Sequence, residues 1–598
     1  MREPLPRERT WLVALLLVQA LFFLALPMLG SAHAWTVLSS FSTEIAADML
    51  GAGEHPLDGY DGLAAGPLVW ATAQVPWLAL LGRIGLVQVL GGLTLALGAT
   101  FASWLCAREL LGVRAAFVVA ALVAFPPPNT WVHSHYGAYH VIPLLTAPLG
   151  FWMLLRGRSV GAWVAGVAVL GSSVAWSFGA IAVAAPLTIG WAWGRLRAGE
   201  GRRAAAAVLF GGAIATLPLL VKLGLHEHYG GMLPPDGDVA RATKPFVLNI
   251  ERTMAWPKEL LHMIFVRFPY GLHFGLHRLP GAGPIYAAIV GAAWVIALRD
   301  RRLGAWLAVP PTVVAVGFFT GWFVFWPGDA VPFERDARHI VGLGHALALC
   351  VGGAFVAIRS RPSLAPVGDA AVAVLVLVGV ASQVLAMQAA WAEGGRPDLR
   401  TPYRLESRYV SGFFRGPHFV TDPARGAASC EALDAPLEAD CQRGVAMALG
   451  VNTAEPELLR SRCEALDAAA EPDLTSSCWV GRGWGVGMSN WRRPVRASAA
   501  CGAIVGASAQ EVTWCREGVG WGTAQDFADR PEAMRSWVTE MPVPERRAIA
   551  TGVGLYAGMV AATEEYAARV CRRLVPEAQM ARCLTGVSRN EGFMEPLR

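Results

Sequence analysis

Residues 84–126 read IGLVQVLGGLTLALGATFASWLCARELLGVRAAFVVAALVAFP, an apolar run, a turn carrying Arg108 and Arg114, and a second apolar run. No Asp, Glu, Lys or Arg interrupts the first run before Arg108. A helix needs about 20 such residues to cross a hydrocarbon layer about 30 Å thick. The arginines mark the side on which the hairpin turns, because short cytoplasmic loops concentrate Arg and Lys.

The same alternation extends both ways along the chain. Apolar stretches lie at 11–30, 84–106, 112–126, 138–155, 204–222, 284–298, 303–325, 340–358 and 367–390, and 161–194 is long enough to divide near Ser172 to Ser177, which gives eleven crossings. With that count Arg2/Arg7/Arg9, Arg108/Arg114, Arg156/Arg158, Arg195/Arg197/Arg202/Arg203, Arg299/Arg301/Arg302 and Arg359/Arg361 all fall on one side. The amino terminus is then cytoplasmic and the carboxyl terminus lies across the membrane. Residues 66–82 are also apolar, but a crossing there would invert every later arginine cluster, so they read as an interfacial helix on the outer surface. The first apolar run resembles a secretory signal ending at Ser31-Ala32-His33-Ala34. The ten later spans favour an uncleaved first helix instead.

Composition agrees. The 598 residues are 54% hydrophobic and 16% charged, which excludes a single water-soluble domain. The net charge of +5 rests on 47 Arg and 3 Lys scattered between apolar runs rather than gathered on one face, so a nucleic-acid partner is not expected. Of the ten cysteines, Cys106 and Cys350 lie in apolar runs and the rest follow residue 429. The chain divides into a membrane part at 1–390, a connection at 391–429 and a tail at 430–598.

The tail's cysteines fall in sequential pairs, Cys430/Cys441, Cys463/Cys478, Cys501/Cys515 and Cys571/Cys583, and a glycine follows the second of each pair at one offset, Gly444, Gly481, Gly518 and Gly586. With glycine at about a tenth of the chain, chance produces that roughly once in ten thousand. The first cysteines are 33, 38 and 70 residues apart, so one unit of a period near 35 lacks the pair. Trp537 and Ile549 stand in the cysteine positions of that unit, followed by Gly552 and Gly554. Five helix-turn-helix units of this length resemble a helical solenoid of the tetratricopeptide or Sel1 type, without the consensus of either. Spacings of 11 to 15 with no Cys-x-x-Cys disfavour zinc and favour a disulfide within each hairpin. Disulfides require an oxidising compartment. The arginine count independently puts the tail outside, in the periplasm of a bacterial inner-membrane protein.

The outer loops hold the chemistry. The first contains STEIAADMLGAGE at 42–54, LDGYDG at 57–62 and GPLVW at 66–70. A helix there puts Glu44 and Asp48 on one face. The second, after Pro126-Pro127-Pro128, carries His133, His135, Tyr136, Tyr139 and His140, which suit gripping a sugar, binding a transition metal or acid–base work, with an interfacial aromatic belt as the plainer reading. The last carries Arg335 and Arg338 in FERDARH at 333–339, whose guanidiniums match phosphate or, more plainly, pair with Glu334 and Asp336.

The first loop, the helix after it and the many spans resemble the GT-C superfamily of membrane glycosyltransferases, in particular the protein mannosyltransferase and aminoarabinose transferase group. The family's E-I-A-x-x-M-L-x-x-G-like and P-L-x-x-W-like runs are matched at 44–53 and 67–70. The resemblance implies an all-α, polytopic fold, a polyprenyl-phosphate-linked sugar donor in the membrane lipid, and a periplasmic glycan, lipid or protein acceptor. The Asp-Glu pair that the family carries ahead of this run falls on Leu38 and Ser39. The carboxylate that accepts the acceptor's proton is therefore left to Glu44, Asp58 or Asp61, with Asp48, Tyr60, His133, His135, Tyr136, His140, Arg335 and Arg338 holding the substrates. No metal ligand set is assigned, and a divalent ion stays open as a cofactor. Two rivals stand beside this reading. One is a catalytically degenerate membrane anchor whose repeat domain binds a protein partner. The other is a transporter, disfavoured by the near absence of charge within the spans.

Overall fold

A computed structural model describes residues 8–26, 50, 65–82, 84–128, 130–131, 141–176, 180–217, 267–270, 277–299, 343–394, 422–428, 430, 435–453, 455–469, 474–490, 493–527, 531–560 and 564–589. The described membrane part contains α1 (Glu8–Ala25), α2 (Ala65–Leu81), α3 (Gly85–Leu111), α4 (Val113–Ala124), α5 (Pro143–Arg156), α6 (Val160–Trp176), α7 (Ile181–Arg197), α8 (Gly201–Ala215), α9 (Gly283–Arg299), α10 (Leu343–Arg359) and α11 (Ala365–Gly394). Among the described residues three helices are long and apolar enough to cross a membrane, Glu8–Ala25, Leu86–Leu111 and Pro362–Ala389. Others are shorter: α4, with 12 residues, is only about 18 Å long. Within the long apolar run at 161–194 the described helices are α6, which ends at Trp176 and carries Ser172 and Ser173 in its interior, and α7, which begins at Ile181.

One element departs from an all-helical expectation. Strands β1 (Arg267–Tyr270) and β2 (His277–Pro280) form an antiparallel pair with Arg267 opposite Pro280 and Tyr270 opposite His277. Pro269 and Pro280 lack the N–H that a further ladder needs, which suits a sheet of two strands.

The bundle has two chemically distinct ends. At one, the Arg108 Nε closing α3 donates to the Glu8 Oε1 opening α1 at 2.6 Å, and Arg156, closing α5, lies 3.7 Å from Glu109. Arg359 and Asp369 pair across the turn from α10 to α11. At the opposite end, Phe22 and Phe23 of α1 meet Trp131 with ring centroids 5.4 and 5.0 Å apart, and Phe22 meets Phe125 at 5.6 Å. Gln383 of α11 donates from Nε2 to the Pro126 carbonyl at 2.5 Å. Between the ends the core is mostly apolar, and small residues let the helices approach: at the α5–α6 crossing an added Cβ would strike the Leu170 backbone from Gly150 and the Leu154 side chain from Gly166.

The tail comprises α12 (Pro423–Ala428), α13 (Ala435–Asn452), α14 (Pro456–Asp467), α15 (Thr475–Ser489), α16 (Pro494–Gly502), α17 (Ala509–Asp526), α18 (Pro531–Glu540), α19 (Val543–Val560), α20 (Glu564–Leu574) and α21 (Met580–Ser588). Pro456 and Pro494 occupy the first turns of α14 and α16, where a missing N–H costs nothing. The second helices α13, α15, α17, α19 and α21 pack on one another in chain order. Three of the glycines found at a constant offset, Gly481, Gly518 and Gly586, lie on the seam, as does Gly552 in the unit without cysteines. A Cβ at Gly481, Gly518, Gly552 or Gly586 would collide with a carbonyl of the preceding helix, and one at Gly483, Gly520 or Gly554 with a carbonyl of the following one.

Four disulfides close the sequential pairs, with Cα separations of 5.8 Å for Cys430–Cys441, 6.3 Å for Cys463–Cys478, 5.8 Å for Cys501–Cys515 and 5.9 Å for Cys571–Cys583. These lie in the range a disulfide spans. Trp537 and Ile549, the residues in place of a fifth pair, are both buried. Ion pairs link separate units: Arg460 with Glu511 at 3.0 Å, Arg516 with Glu545 at 3.0 Å and Arg589 with Glu517 at 2.9 Å.

Candidate functional site

The end of the bundle opposite the arginines is built by sequence breakers. Pro126 and Pro127 cannot continue α4, so the chain leaves the bundle there and Trp131 turns back to cover α1. The next helix re-enters at Ile142, with Pro143 in its first turn. Pro126, Pro127, Thr130, Leu144, Tyr286 and Gly344 help to line a cavity of about 30 Å³ between the ends of α4, α5, α9 and α10. That is room for one or two waters, not for a sugar ring.

This end matters because of what departs from it. The chain leaves α1 at Leu26 toward the acidic first loop, beside Trp131. It leaves Trp131 toward the histidine loop, and it enters α10 from the loop that carries Arg335 and Arg338. A Cβ added at Gly344 would come within 3.6 Å of Leu144 and 4.0 Å of the Thr130 hydroxyl, so the roots of the second and last of these loops are neighbours. Glu44, Asp48, Asp58, Tyr60, Asp61, His133, His135, Tyr136, His140, Arg335 and Arg338 themselves lie outside the described residues.

Sequence reasoning passed over a buried polar contact. The Ser103 Oγ of α3 and the His345 Nδ1 of α10 are 3.1 Å apart, and both side chains are buried. His345 lies in an apolar run, and an ionisable side chain at such a position is the signal that could have found it. Gln383, which ties α11 to Pro126, was equally unmarked: its partner is a carbonyl far away in the chain, which leaves no pattern in the sequence. Among the described residues no group of three or more His, Cys, Asp or Glu could hold a metal ion.

Fold and composition together define a helical membrane protein with a disulfide-bonded helical tail. No protein-family model matches the chain, and no curated protein matches it. Among solved structures it is similar to the apo-form crystal structure of the oligosaccharyltransferase of Archaeoglobus fulgidus, with 13% identity and a TM-score of 0.38. The match covers 69% of this chain and 58% of that one.

Proposed function

We propose that the chain is a membrane glycosyltransferase that moves a sugar from a polyprenyl-phosphate-linked donor to a periplasmic acceptor. The observation that carries the reading is the gathering, at the bundle end remote from the arginines, of the chain segments from which the carboxylate, histidine and arginine loops depart. An acceptor hydroxyl attacking an anomeric carbon needs a base and a cationic hold on the departing phosphate. Those loops supply Glu44, Asp58 and Asp61 for the first task and Arg335 and Arg338 for the second. The histidine loop and Tyr60 grip the sugar.

The topology belongs to the same proposal. About eleven spans have their arginine ends in the cytoplasm of a bacterial inner membrane, and the tail is a periplasmic solenoid of about five units that presents a surface to the acceptor or a protein partner. A second reading, a membrane-anchored scaffold without transfer chemistry, is favoured by Leu38 and Ser39 standing where the related enzymes carry Asp-Glu.

The experiment tests Glu44→Ala, Asp58→Ala and Asp61→Ala singly in the native host, with the periplasmic glycan profiled by mass spectrometry. Loss of the general base lowers transfer by roughly a hundredfold or more, so at least one variant should lose a glycan. If all three match the wild type while deletion of 391–598 abolishes the cellular phenotype, the scaffold reading replaces the enzyme.

A further inference from the structure

The arginines at the far end of the bundle are not alike. Arg108, Arg195 and Arg359 are held by the carboxylates of Glu8, Glu200 and Asp369. Arg158, Arg197, Arg202 and Arg203 are exposed and form no ion pair with another described residue. Arg156 leaves 61% of its side chain exposed and reaches Glu109 only at 3.7 Å.

Packing beneath them gathers these cations onto one surface. The Trp191 Nε1 donates to the Leu154 carbonyl at 3.0 Å and the Trp163 Nε1 to the Gly157 carbonyl at 2.7 Å. The two indoles meet edge to face at 5.4 Å, and the Arg195 guanidinium lies 4.8 Å over the Trp163 ring. The end of α5, the start of α6 and the end of α7 therefore share a platform. A tight turn with Gly199 at φ 80° adds the start of α8. Six guanidiniums, those of Arg156, Arg158, Arg195, Arg197, Arg202 and Arg203, stand here beside the carboxylates of Glu200 and, at the edge, Glu109 among the described residues.

Depth identifies the partner. Ile189 and Trp193 on α7 and Leu209 and Phe210 on α8 are 67%, 56%, 73% and 66% exposed, surface that in a membrane protein faces hydrocarbon. Arg203 precedes Phe210 by seven residues, about 10 Å along the helix, which brings it from that belt to headgroup level. Arg197 lies 5.2 Å over Trp193 and Arg156 lies 5.9 Å over Trp152. A guanidinium stacked on its face keeps its N–H edge for an anion.

We infer that the ends of α5 to α8 form a binding platform for the phosphodiester headgroups of anionic phospholipids. The test uses the full-length protein in neutral detergent, offered equal phosphatidylglycerol and phosphatidylcholine, with retained lipid counted by native mass spectrometry. Phosphatidylglycerol should be retained preferentially. The combined variant R158Q/R202Q/R203Q should weaken that retention roughly a hundredfold, three basic side chains near a membrane surface each contributing about fivefold. R158K/R202K/R203K should keep most of it, and Arg195 is left alone because it packs on Trp163. Equal retention of the two lipids by the wild type overturns the inference without any variant. So does unchanged retention in the Gln variant with a wild-type melting temperature, or stripping of the lipid by inorganic phosphate or a short RNA at equal concentration.

Discussion

Glu511 and Glu517, both on helix α17, sit in opposite electrostatic situations. Burial raises the Glu511 carboxyl, but hydrogen bonds from Arg460 at 3.0 and 3.2 Å and from the Ser508 N–H at 2.6 Å outweigh it and hold its pKa below the ordinary value. At Glu517 burial wins although Arg589 donates at 2.9 Å, and the pKa lies above the ordinary value. The signs then differ. Glu511 contributes stability that is present above the unfolded glutamate pKa of about 4.3 and is lost as pH falls through its lowered folded value. Glu517 contributes stability that is present below that reference and is lost as pH rises through its raised value. E511Q should therefore destabilise the tail by about 1–3 kcal/mol at pH 7, an effect that shrinks only as pH falls from about 4.3 toward 3. E517Q should be at least as stable as wild type at pH 7 and lose that advantage in acid. Urea unfolding followed by tryptophan fluorescence at neutral and acid pH decides, and the reverse order of the two variants would refute the assignment.

At the scale of elements, the row of second helices depends on glycines because neighbouring backbones touch where their side chains would be. Gly483 faces the Cys515 carbonyl and Gly552 the Glu517 carbonyl. Ala at either position has to push two helices apart, which costs on the order of 1–3 kcal/mol. Gly212 on α8 has open space around its Cα, so G212A should be neutral or slightly stabilising through helix propensity. Calorimetric melting of the three variants measures this. A harmless G483A would mean that the helices are not in backbone contact. The seam was legible in the sequence because each contact recurs with the repeat, leaving Gly481, Gly518 and Gly586 at one offset from a cysteine. The bundle offered no such mark. Gln383 meets Pro126 across 257 residues and Ser103 meets His345 across 242, each once. Local pattern finds the helices that carry those side chains but not which helices they join. The helix over 66–82 was likewise legible, whereas its packing on α3, where Trp77 donates to Thr94 at 3.0 Å, was not.

At the scale of the molecule, two apolar clusters share no residue: one draws on Leu12 to Leu375, joined by a smaller one that includes Met387, and the other runs from Ala427 to Val587. Every disulfide belongs to the second, and the two free cysteines, Cys106 and Cys350, are buried in the membrane part. Oxidation state therefore acts on one core alone. Closing a loop of 11 to 15 residues removes roughly 3 kcal/mol of chain entropy from the unfolded state, so losing all four bridges exceeds what a tail of this size can spare. In detergent the oxidised protein should unfold in two steps, and dithiothreitol should abolish the tail's step while leaving the other in place. Thiol counting with maleimide gives an independent measure: no label in the native protein, two sites after denaturation and ten after denaturation with reduction. A single transition that moves as a whole on reduction would mean that the two cores fold as one unit. Any labelling beyond two sites before reduction would break the sequential pairing on which the repeat rests.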